Sequence, residues 1–374
     1  MKLIIRLAIL FPVFAFSHSA AEAQKVYSSK QAKFVVETVV GGLERPWSLA
    51  FLPNGDMLVT EKSGRLRLVQ DGKLVAKAIE GLPRIAVVGQ GGLLDVVLHP
   101  NFADNKRIYI SYSARGAGGT GTEVMTGLFD GQKLSNTKVI MRALPKSRGG
   151  VHFGSRMAFD TQGHLYISLG DRGRRNQAQR LSTHYGSVLK LMDDGRVPAD
   201  NPFLKNPERK QEIYSYGHRN VQGIALNPLT NDMWAHEHGP RGGDEVNILK
   251  KGANFGWPAI TYGINYDGST ITEKKRAPGM EQPVTYWVPS IAPSGMAFYN
   301  GNKFPQWKGD LFVGALAGAH LRRLEIKANK VVDQEQLLGD LGSRIRDVRM
   351  GPDGYIYVLT DQQNGKILRL KPAT

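Results

Sequence analysis

The chain of 374 residues contains no cysteine. Disulfide bonds, thiolate metal ligands and a cysteine nucleophile are therefore excluded, and redox chemistry would need a bound cofactor. Uninterrupted stretches suited to long helices are also scarce, because 43 glycines and 19 prolines punctuate the sequence. Such punctuation is typical of many short strands joined by turns, which makes a helical bundle a poor interpretation.

Acidic residues are fewer than basic ones, with 33 Asp and Glu against 49 Lys and Arg, which gives a formal net charge of +16. The basic residues are scattered, and the sequence has neither a basic helix nor an aromatic RNA-binding signature. Nucleic acid is therefore not expected as a partner. The charge favours anionic small molecules or a general association with the cell envelope.

One apolar run, Leu7 to Phe16, follows a basic start and precedes the small residues of Ala21-Glu22-Ala23. This order is typical of a secretory signal peptide. A membrane anchor is the weaker interpretation, because the run is about half the length that crosses a bilayer. The sequence therefore predicts a signal peptide at residues 1–23, an exported chain that begins near Gln24, and no integral membrane protein.

One sequence pattern recurs six times: an apolar residue, a turn rich in Pro, Asn, Asp and Gly, and then a strand of alternating apolar residues. One blade of a β-propeller is four antiparallel strands, and its usual length plus inserted loops fits the spacing of the copies. The sequence therefore predicts an all-β fold, a six-bladed β-propeller of four-stranded antiparallel blades, as a single domain over residues 24–374. The copies begin at Phe51, Leu98, Phe159, Leu226, Phe298 and Met350.

The last copy is one strand short of a full blade, since only Lys366 to Leu370 follows it. A matching strand lies at Phe34 to Val40, near the start of the mature chain. An open propeller would leave unpaired strand edges. We therefore expect this N-terminal strand to complete the last blade and close the ring.

Two local motifs have competing interpretations. Gly116, Gly118 and Gly121 match the dinucleotide-binding pattern GxGxxG, but the residues that follow lack the helical periodicity that this site needs, so the match is interpreted as accidental. His236 and His238 lie two residues apart, so on a strand they would share a face and could bind zinc.

The same segment allows two other interpretations. It could be a strand end at which one histidine is satisfied by the backbone. Alternatively, the turn Gly239-Pro240 could offer carbonyl oxygens to calcium, with carboxylates from Asp244 and Glu245 nearby.

His152 lies in a glycine-rich approach to the third repeated strand, and Asp171 follows the strand after it. A lone histidine is more often structural than catalytic. Here Asp171 could orient the imidazole, and the segment Gly217 to Asn220 brings a second polar cluster from the next blade. Loops between strand ends line the central channel of a propeller, so these groups are candidates for a site there.

Six motifs occur in order between Gly42 and Leu370, and together they resemble one family. The chain is similar to the soluble glucose and sorbosone dehydrogenases that use pyrroloquinoline quinone (PQQ), most closely the periplasmic aldose sugar dehydrogenases. The resemblance implies a six-bladed propeller, which agrees with the repeat count, and oxidation of aldose sugars at the C1 hydroxyl to lactones in the periplasm. The motifs are HFGSR from His152, GDRG from Gly170, YGHRN from Tyr216, EHGPRGGDEVN from Glu237, NFGWP from Asn254 and RIRD from Arg344.

The resemblance implies four catalytic residues. His152 would be the general base that removes the hydroxyl proton and would also contact the cofactor, and Asp171 would orient its ring and stabilise the imidazolium. Arg219 and Asn220 would bind the cofactor and stabilise the negative charge that develops on it.

The resemblance also implies contacts to the three carboxylates and the ring of the cofactor. Arg344 and Arg346 would meet carboxylates, Gln90 would contact the cofactor, and Tyr266 would lie near the ring unless it only packs in its loop. The remaining implied contacts come from the segment Ala315, Leu316 and Ala317, where many relatives have a lysine that this chain lacks. Either Arg322 compensates for that lysine or the cofactor binds more weakly.

Ca²⁺ is the second implied cofactor. The family binds it through backbone carbonyls that match Gly239 and Pro240, and a second calcium would use Glu245 and a carbonyl near Phe255. The implied partners are an aldose and an unidentified electron acceptor, and the protein would be a monomer or weak dimer. The alternatives are a calcium-dependent propeller lactonase, which needs Asp, Asn and Glu around one central calcium, and a non-enzymatic binding module.

Overall fold

The structure is a computed structural model that describes residues 25–373 as six antiparallel sheets arranged as the blades of a propeller. The chain starts with β1 (Val26–Ser28) and β2 (Lys33–Leu43). Blade 1 contains β3 (Pro46–Phe51), β4 (Met57–Glu61), β5 (Arg65–Gln70) and β6 (Lys73–Leu74). Blade 2 contains β7 (Leu93–Leu98), β8 (Arg107–Gly116), β9 (Gly119–Phe129) and β10 (Leu134–Arg142). Blade 3 contains β11 (Met157–Phe159), β12 (Leu165–Ser168), β13 (Ser187–Leu191) and β14 (Ile213–Tyr216).

The second half of the ring repeats this pattern. Blade 4 contains β15 (Val221–Leu226), β16 (Met233–Glu237), β17 (Asp244–Ile248) and β18 (Thr285–Trp287). Blade 5 contains β19 (Pro293–Phe298), β20 (Leu311–Ala315), β21 (His320–Lys327) and β22 (Lys330–Leu337). Blade 6 contains β23 (Ile345–Met350), β24 (Ile356–Thr360) and β25 (Gly365–Pro372), followed outward by β2 and β1. The predicted fold class is confirmed.

Helices are few and short in the described residues. One α-helix, α1, spans Phe102–Asn105, and 3₁₀ helices span Arg175–Gln179, Pro305–Trp307 and Gly339–Leu341. Within residues 25–373 no helix has the length and apolar character needed to cross a membrane. The predicted signal peptide, residues 1–23, lies outside the described residues.

The period-two alternation of the strands builds the core between blades. In β8, Ile108 and Ile110 pack into the cluster shared with blade 1, whereas Tyr109 packs into the cluster shared with blade 3. Both faces of an inner strand are therefore buried, and one apolar layer separates each pair of neighbouring blades. Because each blade contributes to two layers, the ring is continuous.

The ring closes as the sequence predicts. Strand β2 pairs antiparallel with β25, with Val36 opposite Leu370 and Thr38 opposite Leu368. Phe34 is fully buried against the Trp307 ring. Strand β1 then pairs with β2, so blade 6 has five strands, one more than we expected from the repeat.

A buried group of four charged side chains fills the centre of the ring. Arg156 lies 3.1 Å from Asp95 and 3.0 Å from Asp347, and Arg349 lies 2.9 Å and 2.8 Å from the same two carboxylates. The Arg156 guanidinium also stacks over the Trp47 ring at 4.1 Å. We call these four charged residues the axial cluster. It joins blades 2, 3 and 6 and closes the central channel beneath Trp47.

Candidate active site

A cavity of about 650 Å³ lies above the axial cluster. The loops at one end of the innermost strands form its wall, and Trp47 and Gln222 link it to the cluster below, since the Gln222 carbonyl accepts a hydrogen bond from Arg156. Five of the predicted site residues line it. These are Gln90, Leu316, Ala317, Arg344 and Arg346.

His152 is not itself among the residues that line the cavity, but it directly precedes Phe153 and Gly154, which are. Its backbone has a positive φ of 51°, and its N–H donates to Oε1 of Gln90 at 2.7 Å. Its Nδ1 lies 2.6 Å from Oδ1 of Asp171. Because a carboxylate only accepts hydrogen bonds, Nδ1 carries the proton and Nε2 keeps its lone pair. The imidazole can therefore accept a proton at Nε2.

Asp171 is held in place by more than the histidine. Its Oδ2 accepts the indole N–H of Trp257 at 2.8 Å, and its Oδ1 accepts the backbone N–H of Gly173 at 2.7 Å. The side chain is buried, which strengthens each of these bonds. Trp257 lies in the motif NFGWP, but the resemblance implied no role for its indole.

Arg219 and Asn220 tie this pair to blade 4. The Arg219 carbonyl accepts the Asp171 N–H at 2.8 Å, and Oδ1 of Asn220 accepts the Gly154 N–H at 3.1 Å. The Arg219 guanidinium lies 5.5 Å from the Trp257 ring centre and points toward the backbone after β16. The structure thus brings all four predicted catalytic residues together from two blades.

The cavity has a cationic wall formed by four side chains, two of which the sequence analysis did not single out. Arg344 and Arg346 both bind Asp361, each with a 3.0 Å contact to Oδ2. Burial acts to raise the pKa of Asp361, but the two guanidinium groups outweigh it and lower that pKa. Arg45 and Lys62 line the same cavity. The four cations exceed the single carboxylate by three charges, which suits a polyanionic ligand.

Comparison with known proteins identifies the family. The sequence profile described as glucose/sorbosone dehydrogenase matches residues 43–369. The chain belongs to this family.

Individual relatives of the glucose/sorbosone dehydrogenase family agree with the profile. Aldose sugar dehydrogenase YliI from Escherichia coli (strain K12) is 49% identical over 343 residues, which cover 90% of this chain and 92% of that protein. A crystal structure of the soluble aldose sugar dehydrogenase from E. coli in its apo-form has a TM-score of 0.89 at 47% identity, over 91% of this chain and all of that one. The PQQ-bound aldose sugar dehydrogenase of Streptomyces coelicolor has a TM-score of 0.75 at 28% identity, over 92% of this chain and all of that one. The expected resemblance is confirmed, and with it the expectation of an oxidoreductase.

The three residues on blade 5 that were implied to contact the cofactor, Ala315 to Ala317, do not all reach the cavity. Ala315 is fully buried in the core cluster between blades 4 and 5, whereas Leu316 and Ala317 line the cavity. Arg322 is paired with Val313 in the strand register, and it is not among the residues that line the cavity. The structure therefore gives no support to compensation by Arg322.

Tyr266 is 73% exposed, and its hydroxyl lies 3.4 Å from the Arg219 guanidinium. Its ring is therefore not buried in its loop. The exposed ring beside Arg219 is instead available to a ligand.

Two of the residues implied as calcium ligands, Gly239 and Pro240, lie in the turn that the Arg219 guanidinium contacts. The Gly239 carbonyl accepts a hydrogen bond from Arg219 at 2.7 Å, and the Pro240 carbonyl lies 3.5 Å from the Ser290 hydroxyl. Asp244, a possible ligand by sequence, instead accepts the N–H groups of Gly239, Ile291 and Ala292, so its role is structural.

Glu245 fits a cation better. It lies opposite Glu237 in the strand register, near Phe255 in a small internal space, and the side chain of Asn247 is its hydrogen-bond donor. Burial, and then the neighbouring Glu237 charge, raise the pKa of Glu245 to about 8. Glu237 is already bound by the His218 imidazole and the Arg219 N–H, so Glu245 is the member of this pair that could take a cation.

The two remaining sequence motifs are settled by their surroundings. The glycines at positions 116, 118 and 121 lie in the β8–β9 hairpin, so no helix follows them and the dinucleotide interpretation is wrong. His238 donates from Nε2 to the Pro293 carbonyl at 2.6 Å, and among residues 25–373 no group of three His, Asp or Glu side chains is placed to hold a metal. The zinc interpretation is therefore not supported.

Proposed function

We propose that this protein is an exported PQQ-dependent aldose sugar dehydrogenase, which oxidises the C1 hydroxyl of an aldose to the lactone. The observation that carries the proposal is the His152–Asp171 pair beside a cavity with four cations. The family and the PQQ-bound relative from S. coelicolor support it. The cavity fits such a cofactor, because its excess of positive charge matches a molecule with three carboxylates.

Bound in this cavity, PQQ would supply the acceptor for the hydride that leaves C1 of the sugar. Nε2 of His152 accepts the proton of the C1 hydroxyl, so the sugar loses a hydride and a proton and becomes the lactone. Asp171 fixes the imidazole through Nδ1 and stabilises the imidazolium that forms, and Trp257 and Gly173 hold the Asp171 carboxylate in turn. Arg219 would stabilise negative charge that develops on the cofactor.

Ca²⁺ belongs to the same proposal. The carbonyls of Gly239 and Pro240 would hold an ion next to the cofactor, where it would act as a Lewis acid. Glu245, with the carbonyl of Phe255, would hold a second ion of structural character, and its pKa near 8 agrees with a carboxyl group that lacks a counter-charge. Oxygen ligands of this kind suit calcium.

One assay tests the function. Apo-protein is mixed with PQQ, Ca²⁺, glucose and a redox dye, and dye reduction is followed with each component omitted in turn. Turnover that needs both PQQ and Ca²⁺ supports the proposal. Hydrolysis of a lactone without PQQ would favour the lactonase, and ligand binding without turnover would favour a binding module.

The axial cluster speaks against the lactonase. A central calcium would need free carboxylates at the ring centre, but Asp95 and Asp347 are both paired with Arg156 and Arg349. Two guanidinium groups at that position repel a divalent cation.

The cellular setting remains part of the proposal. We propose that residues 1–23 direct export to the periplasm, that residues 24–374 form one domain, and that the protein works as a monomer or weak dimer. Its electron acceptor is an unidentified redox partner.

Replacing Arg344 and Arg346 together by alanine is expected to weaken PQQ binding more than it slows the loaded enzyme. Arg344 and Arg346 lie in the cavity wall on blade 6, where both bind Asp361. The His152–Asp171 pair lies on blade 3. Titration of apo-protein with PQQ gives the affinity, and kcat at saturating PQQ gives the rate. An unchanged affinity with a reduced kcat would contradict the assignment.

Arg322→Ala is expected to leave PQQ affinity within about twofold of wild type, because this side chain does not line the cavity.

Ala317→Lys, in contrast, places a new cation in the cavity and is expected to tighten PQQ binding, since a charge-assisted hydrogen bond contributes about 1.5–3 kcal/mol. The same titration measures both variants. Weaker PQQ binding by Arg322→Ala would instead support the hypothesis that Arg322 compensates for the missing lysine.

A further inference from the structure

Lys62 is a cavity residue to which neither the sequence motifs nor the family resemblance gave a role. It follows directly after β4 on blade 1, and its side chain is partly buried in the cavity wall. Its ammonium donates to the Gly89 carbonyl at 2.5 Å. It therefore lies in the cationic wall, on the side formed by blades 1 and 2.

This ammonium has no carboxylate partner. Within residues 25–373 no Asp or Glu oxygen lies within ion-pair distance of Lys62, whereas the buried lysines Lys146 and Lys190 are paired with Glu123 and Asp200. A charge that is partly removed from water is costly unless an opposite charge compensates it. The Lys62 ammonium therefore lies in the wall without an ion-pair partner among residues 25–373.

The surroundings of Lys62 also favour an anion. Burial, and then the cations Arg346 and Arg45, lower the pKa of Lys62, and Asp361 opposes them only in part. Asp361 is already bound by Arg344 and Arg346. An anion that entered the cavity beside Lys62 would relieve the repulsion among these cations.

We propose that Lys62 is a further cofactor-binding residue, which receives a carboxylate of the anionic cofactor from the blade 1 side of the cavity. The proposal rests on the proposed function. It gives the cavity an ammonium group from blade 1. On blade 5, at the position where many relatives have a lysine, Ala317 offers only a methyl group.

A purely structural role is the competing explanation, and it makes a different prediction. Lys62 fixes the Gly89 carbonyl, and the next residue, Gln90, accepts the His152 N–H. If Lys62 served only to hold this turn, its loss would misplace His152 and lower kcat. If it binds the cofactor, its loss would raise the dissociation constant of the cofactor.

The experiment compares three variants with wild type. Lys62→Gln keeps a donor for the Gly89 carbonyl but removes the charge, Lys62→Arg keeps the charge, and Lys73→Gln removes an exposed lysine from the same blade as a matched control. Each apo-protein is titrated with PQQ in the presence of Ca²⁺, its thermal midpoint is measured, and kcat is determined at saturating PQQ.

We expect Lys62→Gln to raise the dissociation constant of PQQ about 10-fold to 100-fold, the range of one charge-assisted hydrogen bond. Its kcat at saturating PQQ and its apo midpoint should stay near wild type. Lys62→Arg should recover most of the affinity, and Lys73→Gln should bind like wild type.

Three outcomes overturn the proposal in distinguishable ways. Wild-type affinity in Lys62→Gln would remove Lys62 from cofactor binding and leave the proposed function intact. Unchanged affinity with a reduced kcat would assign Lys62 to positioning of the Gly89 turn. If wild-type protein itself does not bind PQQ, the proposed function fails and this proposal fails with it.

Discussion

His152→Ala is expected to lower kcat at least about 100-fold, the effect typical of a missing general base, and to leave PQQ affinity near wild type. The reason lies in the geometry: Nε2 is the lone-pair nitrogen of an imidazole fixed by Asp171, and alanine leaves the sugar hydroxyl without a proton acceptor. The cationic wall does not include His152, so the cofactor keeps its charged contacts. Steady-state kinetics at saturating PQQ, together with a PQQ titration, measure both quantities.

The chain offers a matched control for this variant. His164 is also paired with a carboxylate, that of Asp160 at 3.0 Å, but it lies in the turn between β11 and β12, at the opposite end of these strands from His152 and Asp171. His164→Ala removes the same type of histidine–carboxylate hydrogen bond and should keep normal turnover. Near-normal turnover by His152→Ala would remove His152 from the mechanism.

A chain that begins at Gly42 is expected not to fold. It lacks most of β2, so β25 loses its partner and the ring cannot close. The same deletion removes Phe34, which is fully buried, and loss of one such aromatic side chain typically costs about 3–5 kcal/mol of the 5–15 kcal/mol that stabilises a domain. Soluble yield, circular dichroism and thermal melting check the result.

A second truncation controls for the mere loss of N-terminal residues. A chain that begins at Ser29 lacks only β1, a three-residue outer strand with two exposed side chains, and it keeps the β2–β25 pairing. This chain should fold and melt cooperatively. Full stability in the chain that begins at Gly42 would show that β2 does not close the ring.

The repeat made most of the fold predictable. A period-two pattern such as that of Ile108 to Tyr112 indicates a strand, and its sixfold recurrence at the spacing of propeller blades indicates six blades. The shortage of one strand in the last blade also has few solutions, which is why the β2–β25 pairing could be predicted. Strand β1 could not, because three residues carry too little periodicity to indicate a strand.

The site was predictable only where a motif carried it. His152 and Asp171 lie on one blade, so the repeat itself brings them close. Trp257 hydrogen-bonds to Asp171 although the two residues are 86 positions apart in the sequence. Trp257 lies in a long loop, and no local sequence pattern predicts the path of that loop. Lys62 and Arg45 were missed for the same reason, since a single surface lysine or arginine looks the same in sequence whether it faces a cavity or open water.

The axial cluster has a consequence for how the reaction can be ordered. This single network of four charged side chains fills the centre of the ring directly under Trp47 and separates the cavity from the opposite face of the propeller. In the proposed function, the sugar that delivers the electrons and the acceptor that removes them must then use the same opening. If the lactone fills that opening, it would leave before the acceptor approaches, and the two half-reactions would alternate at a single entrance.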